Sequence, residues 1–395
     1  TSLFASRSRL VPADPFSHRG MGDMSQPSLR AGCVAGGLLA CLVLPAQAQF
    51  YVLSDLGSLI ATSYSVPHGL SENADVVGYS YAGLGAHAFI WTAEGGMQDL
   101  GTLGGSTSYA YGINASRQVV GYGPQGGVDR AFLWSADGGF QLLGTLGGST
   151  SYAREINDAG QVAGYSQIAS GKYRAYRWSA AAGMQNLGVL GSASSNSYAT
   201  GINESGQVAG FSHVGSAAHA FRWDPSLGLQ DLGTLDGGNS YGKAIGASGA
   251  VVGYASAAGA EHAFVWTSAG GLQDLGTLGG ANSYAKGVNA QVRVVGQADT
   301  ATGAVGFVWS LEEGMQDLNG LIPDPGGWTV EAGLGINDQG VIVAMGRNVF
   351  GRVHALHITP TGVDAVLNLE SRFKIPAASQ VRVSGLSAAG EQYVD

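Results

Sequence analysis

Hydrophobic and polar positions alternate in short stretches along most of the chain, and glycine-rich segments separate these stretches. Residues 109–113, for example, are Tyr-Ala-Tyr-Gly-Ile, and residues 130–134 are Arg-Ala-Phe-Leu-Trp. Period-two alternation places alternate side chains on opposite faces of a β-strand, and no window shows a sustained helical period. The pattern therefore predicts an all-β chain of many short strands joined by tight turns.

The predicted strands recur in a unit of 43–45 residues. Six tryptophans mark the unit, and their successive spacings are 43, 44, 45, 43 and 43 residues. They are Trp91, Trp134, Trp178, Trp223, Trp266 and Trp309. A His-Ala-Phe triplet or a variant of it precedes each tryptophan, and Asp-Leu-Gly and Ile-Asn-x-x-Gly-x-Val motifs recur in phase. A seventh, divergent copy contains His354, with Ile358 in the tryptophan position.

Each unit contains four predicted strands, which we call a, b, c and d. In the second unit they cover residues 109–113, 118–122, 130–134 and 140–143. Four antiparallel strands in a unit of this length are typical of a β-propeller blade. A β-solenoid is the alternative, although its coils are usually shorter and the Gly-Gly-x-Gly-x-Asp calcium repeats that would support it are missing. We therefore expect a β-propeller.

The ends of the repeat array bear on the number of blades. Residues 50–56 form a predicted strand d that precedes the first strand a, so they can complete the seventh blade and close the ring. The repeats extend over residues 49–360. The remaining tail, 361–395, contains a second predicted strand d at 363–369 and the start of a partial eighth repeat. We expect seven blades, and eight blades are the alternative.

An apolar run near the start of the sequence predicts a secretory signal peptide. From a start at Met21 or Met24 the chain passes Arg30, an apolar stretch at 31–44 and an Ala-Gln-Ala site that ends at Ala48. A basic residue, a short apolar stretch and an Ala-x-Ala site are the parts of such a peptide, and the stretch is too short for a comfortable membrane span. We expect cleavage after Ala48 and no transmembrane span in the mature chain.

Residues 1–48 are thus an upstream extension plus the signal peptide, and secretion to the extracellular space is the expected location. Periplasmic retention is one alternative. Another is a lipoprotein acylated at Cys41, because Leu-Leu-Ala-Cys at 38–41 resembles the lipoprotein box. Both cysteines, Cys33 and Cys41, lie in this segment, so the mature chain has no thiol for disulfides or thiolate chemistry.

The composition agrees with a turn-rich β protein and limits its partners. The chain contains 65 glycines among 395 residues, and only 12% of its residues are charged. Its formal net charge is −9, and no basic cluster interrupts the acidic balance. Nucleic acid and anionic lipid are therefore poor candidates as partners. We expect a monomer that binds an extracellular glycan or a surface protein.

These motifs carry a family resemblance. The units resemble the HAF repeats of predicted bacterial extracellular proteins, which are named for the triplet found here at 87–89, 219–221 and 262–264. The resemblance covers residues 50–360, and the seventh unit is similar to the usual terminal unit of that family. It implies an extracellular location and closure after the seventh unit, and it implies no defined activity.

Candidate catalytic and metal-binding motifs have simpler explanations. The repeated histidines, such as His87 and His219, occur in different blades, and the equivalent residues in other units are Arg130, Arg174 and Val305. We expect them to bridge strands, since a metal site needs ligands that converge. The Asn-x-x-Gly turns lack the alternating carboxylates of a calcium loop. No nucleophile elbow or phosphate loop is present, so we predict no catalytic residue, no metal and no cofactor.

A repeated tyrosine is the best candidate for binding. It lies at the start of strand a, next to serine and asparagine residues: Tyr64, Tyr109, Tyr152, Tyr198, Tyr241 and Tyr284. Because strand direction alternates, the d-to-a and b-to-c loops share one face of the ring, where these rings can stack on sugars or peptides. The leading hypothesis is a non-enzymatic binding or adhesion module. The alternatives are a glycan hydrolase or lyase, and a purely structural repeat whose tyrosines pack between blades.

Overall fold

The computed structural model describes residues 49–361 and two further strands at 383–386 and 392–394. Across these residues regular structure is almost entirely β, and one short 3-10 turn is the exception. The all-β prediction is confirmed. The predicted signal peptide and most of the tail, including the predicted strand at 363–369, lie outside the described residues.

The strands form seven four-stranded antiparallel sheets. Regular structure begins with β1 (Tyr51–Asp55). The first blade comprises β2 (Ser65–Leu70), β3 (Val76–Ala82), β4 (Gly85–Thr92) and β5 (Gly96–Gly101). The second comprises β6 (Tyr109–Ile113), β7 (Val119–Gln125), β8 (Val128–Ser135) and β9 (Gly139–Leu142). The third comprises β10 (Gly147–Ile156), β11 (Val162–Ile168), β12 (Tyr173–Ser179) and β13 (Gly183–Asn186).

The remaining blades repeat this arrangement. The fourth comprises β14 (Ser197–Ile202), β15 (Val208–Val214), β16 (Ala217–Asp224) and β17 (Gly228–Asp231). The fifth comprises β18 (Ser240–Ile245), β19 (Val251–Ala257), β20 (Ala260–Thr267) and β21 (Gly271–Asp274). The sixth comprises β22 (Ser283–Val288), β23 (Val294–Asp299), β24 (Ala304–Ser310) and β25 (Gly314–Asp317). After the 3-10 turn Leu318–Leu321, the seventh comprises β26 (Trp328–Ile336), β27 (Ile342–Asn348) and β28 (Val353–Pro360).

The ring closes through β1, which supplies strand d of the seventh blade. The strand order of that sheet is β1-β28-β27-β26, and Tyr51 pairs with Pro360 while Asp55 pairs with Leu356. The predicted closure by residues 50–56 is therefore confirmed, and the described propeller has seven blades. The strands β29 (Val383–Leu386) and β30 (Gln392–Val394) form a separate two-stranded sheet, so the eight-blade alternative is wrong for the described residues.

Strand a is the innermost strand of every blade. Each strand a contacts strand a of both neighbouring blades, and β2 contacts both β6 and β26. The seven strands a therefore line a central channel. The aromatic residue of each repeated triplet is buried between blades: Phe89, Phe132, Tyr176, Phe221, Phe264 and Phe307, with Leu356 in the seventh blade. These junctions form the hydrophobic core.

The Asn-x-x-Gly turns join neighbouring blades. The Asn157 side chain donates to the backbone oxygen of Asn203 at 3.0 Å, and Asn337 closes the circle by donating to the backbone oxygen of Ser71 at 3.3 Å. The turn glycines, such as Gly160 with φ of +72°, adopt the left-handed conformation that a residue with a Cβ rarely adopts. The turn explanation of this motif is confirmed, and each turn also contributes to blade packing.

The b-to-c connections are shorter than the sequence suggests. The expected loop at 123–129 is mostly strand, because β7 extends to Gln125 and β8 begins at Val128. Gly126 and Gly127 both have positive φ, which matches the tight two-residue hairpin. In the fourth blade β15 ends at Val214 and β16 begins at Ala217, so the connection is again a two-residue hairpin. The third blade keeps a longer connection at 169–172.

Within the described residues, no helix has the length and apolar character needed to cross a membrane.

Candidate functional site

Five of the six predicted tyrosines occupy one register position in strand a: Tyr109, Tyr152, Tyr198, Tyr241 and Tyr284. Tyr64 does not belong to this set. It precedes β2, and Val66 occupies the repeat position, since Val66 pairs with Tyr79 as Tyr109 pairs with Tyr122. Including Tyr64 in the series was wrong by two residues, because the first unit has its own tyrosine just before the strand.

The five tyrosines belong to a continuous series of ten aromatic rings, which we call the aromatic arc. Neighbouring ring centroids are 4.8–5.2 Å apart. The members in order are Tyr79, Tyr109, Tyr122, Tyr152, Tyr165, Tyr198, Phe211, Tyr241, Tyr254 and Tyr284. Rings within a blade are tilted by 24–32°, and rings in adjacent blades meet at 72–77°. Both geometries are favourable for aromatic pairs.

The tyrosines of the arc are neither fully exposed nor fully buried. The Tyr152 hydroxyl donates to the Asp129 carboxylate of the preceding blade at 3.0 Å. Burial, followed by the Glu261 carboxylate, raises the pKa of Tyr284 to about 12. The rings therefore pack between blades and also keep an accessible edge. Five of the arc residues line the central channel, namely Tyr165, Tyr198, Phe211, Tyr254 and Tyr284.

The serines next to these tyrosines are not available to a ligand. Ser240 is fully buried; its hydroxyl accepts a hydrogen bond from the Ala220 backbone N–H at 2.8 Å and donates to the Gly233 backbone oxygen at 2.5 Å. Ser108 and Ser283 form the same pair of bonds at their own blade junctions. These three hydroxyls link adjacent blades, because each one joins a strand c to the loop that precedes the next strand a.

Every strand a contains a β-bulge at one repeated position. The register of strands a and b shifts between Ala153 and Glu155, for example, and between Gly242 and Ala244. A bulge leaves one residue unpaired and redirects its side chain, and bulges are common beside functional sites. The bulged residues are His68, Tyr111, Arg154, Thr200, Lys243, Lys286 and Leu334.

All seven bulged residues line a single cavity of about 910 Å³ in the central channel. The repeated tyrosines do not indicate this ring of residues. Sequence variation could have identified the ring, because the residue at the bulged position differs in almost every unit while the residues beside it stay nearly constant. The second unit has Tyr-Ala-Tyr-Gly-Ile and the sixth has Tyr-Ala-Lys-Gly-Val. A repeat that keeps its fold and varies one inward position is typical of a binding surface.

Arg154 contacts the aromatic residues of the channel. Its guanidinium carbon lies 4.2 Å from the ring centroid of Tyr111 and 5.3 Å from that of Tyr165. Its Nη2 atom donates to the Tyr165 hydroxyl at 2.7 Å. Cation–π contacts of this kind hold the guanidinium in place, and none of the ion pairs in the described part of the chain includes Arg154.

The other charged residues of the ring are two lysines in neighbouring blades. Burial lowers the pKa of both Lys243 and Lys286, and for Lys243 the nearby charges of Lys286 and Arg154 lower the pKa further. Burial together with Arg154 and Lys286 lowers the pKa of His68 to about 3, so His68 is neutral at physiological pH. The charges of Arg154 and Lys286 thus disfavour a further positive charge at Lys243 and at His68.

Glu155 is the one acidic residue at its repeat position, where the other units have glycine or alanine. Its Oε1 atom accepts a hydrogen bond from the Ile156 backbone N–H at 3.1 Å, and the side chain lines the channel cavity. Burial, opposed in part by this hydrogen bond, raises the pKa of Glu155 to about 8. The carboxyl group is therefore protonated at neutral pH.

The carboxylates at the turn end of the channel are used in blade packing. The Asp158 carboxylate accepts from the Ala115 backbone N–H at 2.8 Å, and Glu204 accepts from the Asp158 N–H at 3.0 Å. Glu72 accepts from the Asp338 N–H at 3.1 Å across the closing junction. These carboxylates therefore link neighbouring turns by hydrogen bonds and do not converge on a common binding point.

The repeated histidines bridge strands c and d. His87, His219 and His262 each contact the aspartate of the adjacent strand d, with 2.8 Å between Nδ1 and Oδ2. His354 contacts Asp55 of β1 at 2.8 Å, so this pair also secures the closing strand. The strand-bridging interpretation of the triplet is confirmed, and it explains why the histidine recurs with the Asp-Leu-Gly motif.

No family model and no curated protein sequence matches the chain. Solved structures with similar backbones include a gluconolactonase from Xanthomonas campestris, with 11% identity, a TM-score of 0.40 and coverage of 80% of this chain and 92% of that one. TolB from Acinetobacter baumannii has 11% identity, a TM-score of 0.38 and coverages of 79% and 63%. An acylaminoacyl peptidase from Pyrococcus horikoshii has 12% identity, a TM-score of 0.43 and coverages of 65% and 45%. Similarity at this level carries no functional argument.

Proposed function

We propose that this protein is an extracellular, non-enzymatic propeller that binds a glycan or a surface protein in its central channel, on the side lined by the aromatic arc. The observation that carries the proposal is the arc itself, which brings five aromatic side chains to the wall of a 910 Å³ cavity. Half-buried aromatic side chains on strands a and b offer apolar ring faces without a large loss of side-chain entropy on binding. The cavity volume lies within the usual range for ligand sites.

A glycan array and pull-downs with the full chain test this proposal. Tyr254→Ala and Tyr284→Ala remove two rings from the cavity wall, and we expect each to weaken binding about tenfold or more. Tyr81→Ala is the matched control, because Tyr81 is 40% exposed and lies outside the arc. Absence of binding to every glycan and surface protein tested would contradict the proposal and leave the structural-repeat hypothesis.

A glycan hydrolase or lyase is the second candidate, and Glu155 is the observation that favours it. A carboxyl group with a pKa of about 8 can donate a proton at neutral pH. Incubation with acidic and neutral polysaccharides, followed by detection of new reducing ends or unsaturated products, tests this candidate. Turnover that Glu155→Gln abolishes would replace the non-enzymatic proposal.

The extracellular location rests on the signal peptide inferred from residues 24–48. Cleavage after Ala48 would leave the closing strand intact, since β1 begins at Tyr51. We expect mass spectrometry of the protein recovered from culture medium to give Gln49 as its first residue. Retention in the cell with an acylated Cys41 would support the lipoprotein alternative.

A further inference from the structure

The distribution of lysine in this chain is unusual. The sequence contains four lysines, at positions 172, 243, 286 and 374, in a protein of net charge −9. Lys243 and Lys286 both occupy the bulged position of strand a and both line the channel cavity. Arg154 occupies the same position in the third blade. A propeller does not need cations at its axis, because Thr200 and Leu334 serve at the equivalent positions of other blades.

These three cations have no carboxylate partner among the described residues. Of the ion pairs found there, none includes Arg154, Lys243 or Lys286. Glu261 is near enough to favour the charged form of Lys243, and it forms no ion pair with it. Glu155, the carboxyl group next to Arg154, is protonated at neutral pH because burial raises its pKa to about 8. Partly buried charges without partners are costly, and such an arrangement is typical of sites that bind the opposite charge.

The cations share the cavity with the accessible members of the aromatic arc. Tyr254 lies under Lys243, with 5.2 Å between Nζ and the ring centroid, and Tyr165 holds Arg154 by a hydrogen bond. The bulged positions therefore present positive charge beside aromatic faces. The carboxylates Glu72, Asp158 and Glu204 line the same cavity near the Asn-x-x-Gly turns, where each accepts a hydrogen bond from a backbone N–H of a neighbouring turn. A ligand that satisfies both the cations and the aromatic faces needs an anionic group and a ring with an apolar face.

We propose that the channel is a binding site for an acidic saccharide, whose carboxylate or sulfate group is bound by Arg154, Lys243 and Lys286 while its sugar ring packs on Tyr165 and Tyr254. This inference rests on the proposed function and specifies its ligand class. The lysines supply charge-assisted hydrogen bonds from flexible side chains, and the guanidinium supplies a fixed planar donor. Carboxylated and sulfated sugars present the same chemistry to these three groups.

Calorimetric titration of the full chain tests the proposal with four probes: oligogalacturonate, a sulfated oligosaccharide, a neutral oligosaccharide of equal length, and citrate. We expect at least one acidic oligosaccharide to bind and the neutral one to bind at least tenfold more weakly. Comparison of the carboxylated and sulfated probes identifies the source of the anion. The double variant K243M/K286M and the single variant R154M should each lose about tenfold or more in affinity for the acidic probe.

Lys172→Met is the matched control, because Lys172 is exposed on an outer hairpin and its loss changes the net charge by the same step as one channel lysine. Its affinity should equal that of the wild type. Circular dichroism and thermal unfolding of all variants establish that the propeller is folded.

The outcomes separate this inference from the proposed function. Equal binding of neutral and acidic oligosaccharides, unchanged in K243M/K286M, would overturn the anion site and leave channel binding in place. Citrate binding that depends on the lysines, without binding of any saccharide, would support the anion site and contradict glycan binding. No binding of any acidic probe, citrate included, would overturn the inference.

Discussion

At the scale of single residues, repeated side chains in this protein act at the junctions between blades. Ser240 joins strand c of the fourth blade to the loop before the fifth, and Asn203 joins neighbouring turns by donating to the Gly246 backbone oxygen at 3.0 Å. Such residues recur because every junction poses the same problem of satisfying buried backbone groups. The residue at the bulged position of strand a does not have to satisfy buried backbone groups at a junction, so it can differ between units. This varying residue lines the channel.

Ser240→Ala tests the importance of the junction serine. The substitution leaves the Ala220 N–H and the Gly233 carbonyl without their partner in a buried site, so we expect the free energy of unfolding to fall by about 1–3 kcal/mol. Urea denaturation measures the change. Ser226→Ala, at an exposed turn, should change stability far less. Equal effects of the two substitutions would contradict the junction role.

Glu155→Gln tests the protonated channel carboxyl group. The pKa of Glu155 is about 8 in the folded protein and close to its ordinary value when unfolded, so the folded state binds the extra proton in between. Stability should therefore fall as pH rises through this window. We expect the variant to gain about 2 kcal/mol relative to wild type between about pH 5 and pH 9, less than the full shift implies because the Glu155 side chain is only partly buried. Parallel wild-type and variant curves across this range would contradict the raised pKa.

At the scale of strands, periodicity predicted the elements well. In the second blade the predicted strand a and the observed β6 both cover residues 109–113. The bulge in each strand a could not be predicted, because period-two alternation continues through it in the sequence and the shift exists only relative to strand b. The channel residues were missed for this reason. The tyrosines are conspicuous in the sequence because they repeat. The charged residues of the channel occupy the bulged position two residues later, which varies between units.

The glycine of strand b shows how closely strands a and b approach. A Cβ at Gly253 would lie 1.9 Å from the Tyr241 backbone oxygen, so no side chain fits there without displacing strand a. We expect Gly253→Ala to lower the free energy of unfolding by about 3 kcal/mol or more. Gly320→Ala is the control, since a Cβ at Gly320 would meet no atom within 4 Å. Chemical denaturation of both variants measures the difference, and a neutral Gly253→Ala would show that the strands are not packed as described.

At the scale of the whole molecule, the blade number and the closure by residues 50–56 followed from counting units and from one unpaired strand. The channel site could not be predicted from the sequence in the same way, because blades that are far apart in the sequence approach one another only at the propeller axis. Arg154, Lys243 and Lys286 come from three different blades. No spacing in the chain indicates which of seven equivalent positions face each other or how much water reaches them.

Closure of the ring can be tested on β1. Tyr51 is 1% exposed and packs in the core of the seventh blade, whereas its neighbour Val52 is 55% exposed. We expect Tyr51→Ala to lower the free energy of unfolding by about 3–4 kcal/mol and Val52→Ala by less than about 0.5 kcal/mol. Thermal and urea unfolding measure both. Similar small effects would indicate that the ring does not depend on this strand.

We propose above that the channel binds an acidic saccharide through cations at the bulged positions. A crystal structure of the full chain with an acidic oligosaccharide would show whether the ligand lies there. We expect ligand density on the propeller axis, with an anionic group at about 3 Å from the side-chain nitrogens of Lys243 and Lys286 and a sugar ring against Tyr254. An oligosaccharide bound on the outer rim, with only water in the channel, would contradict the proposed channel site.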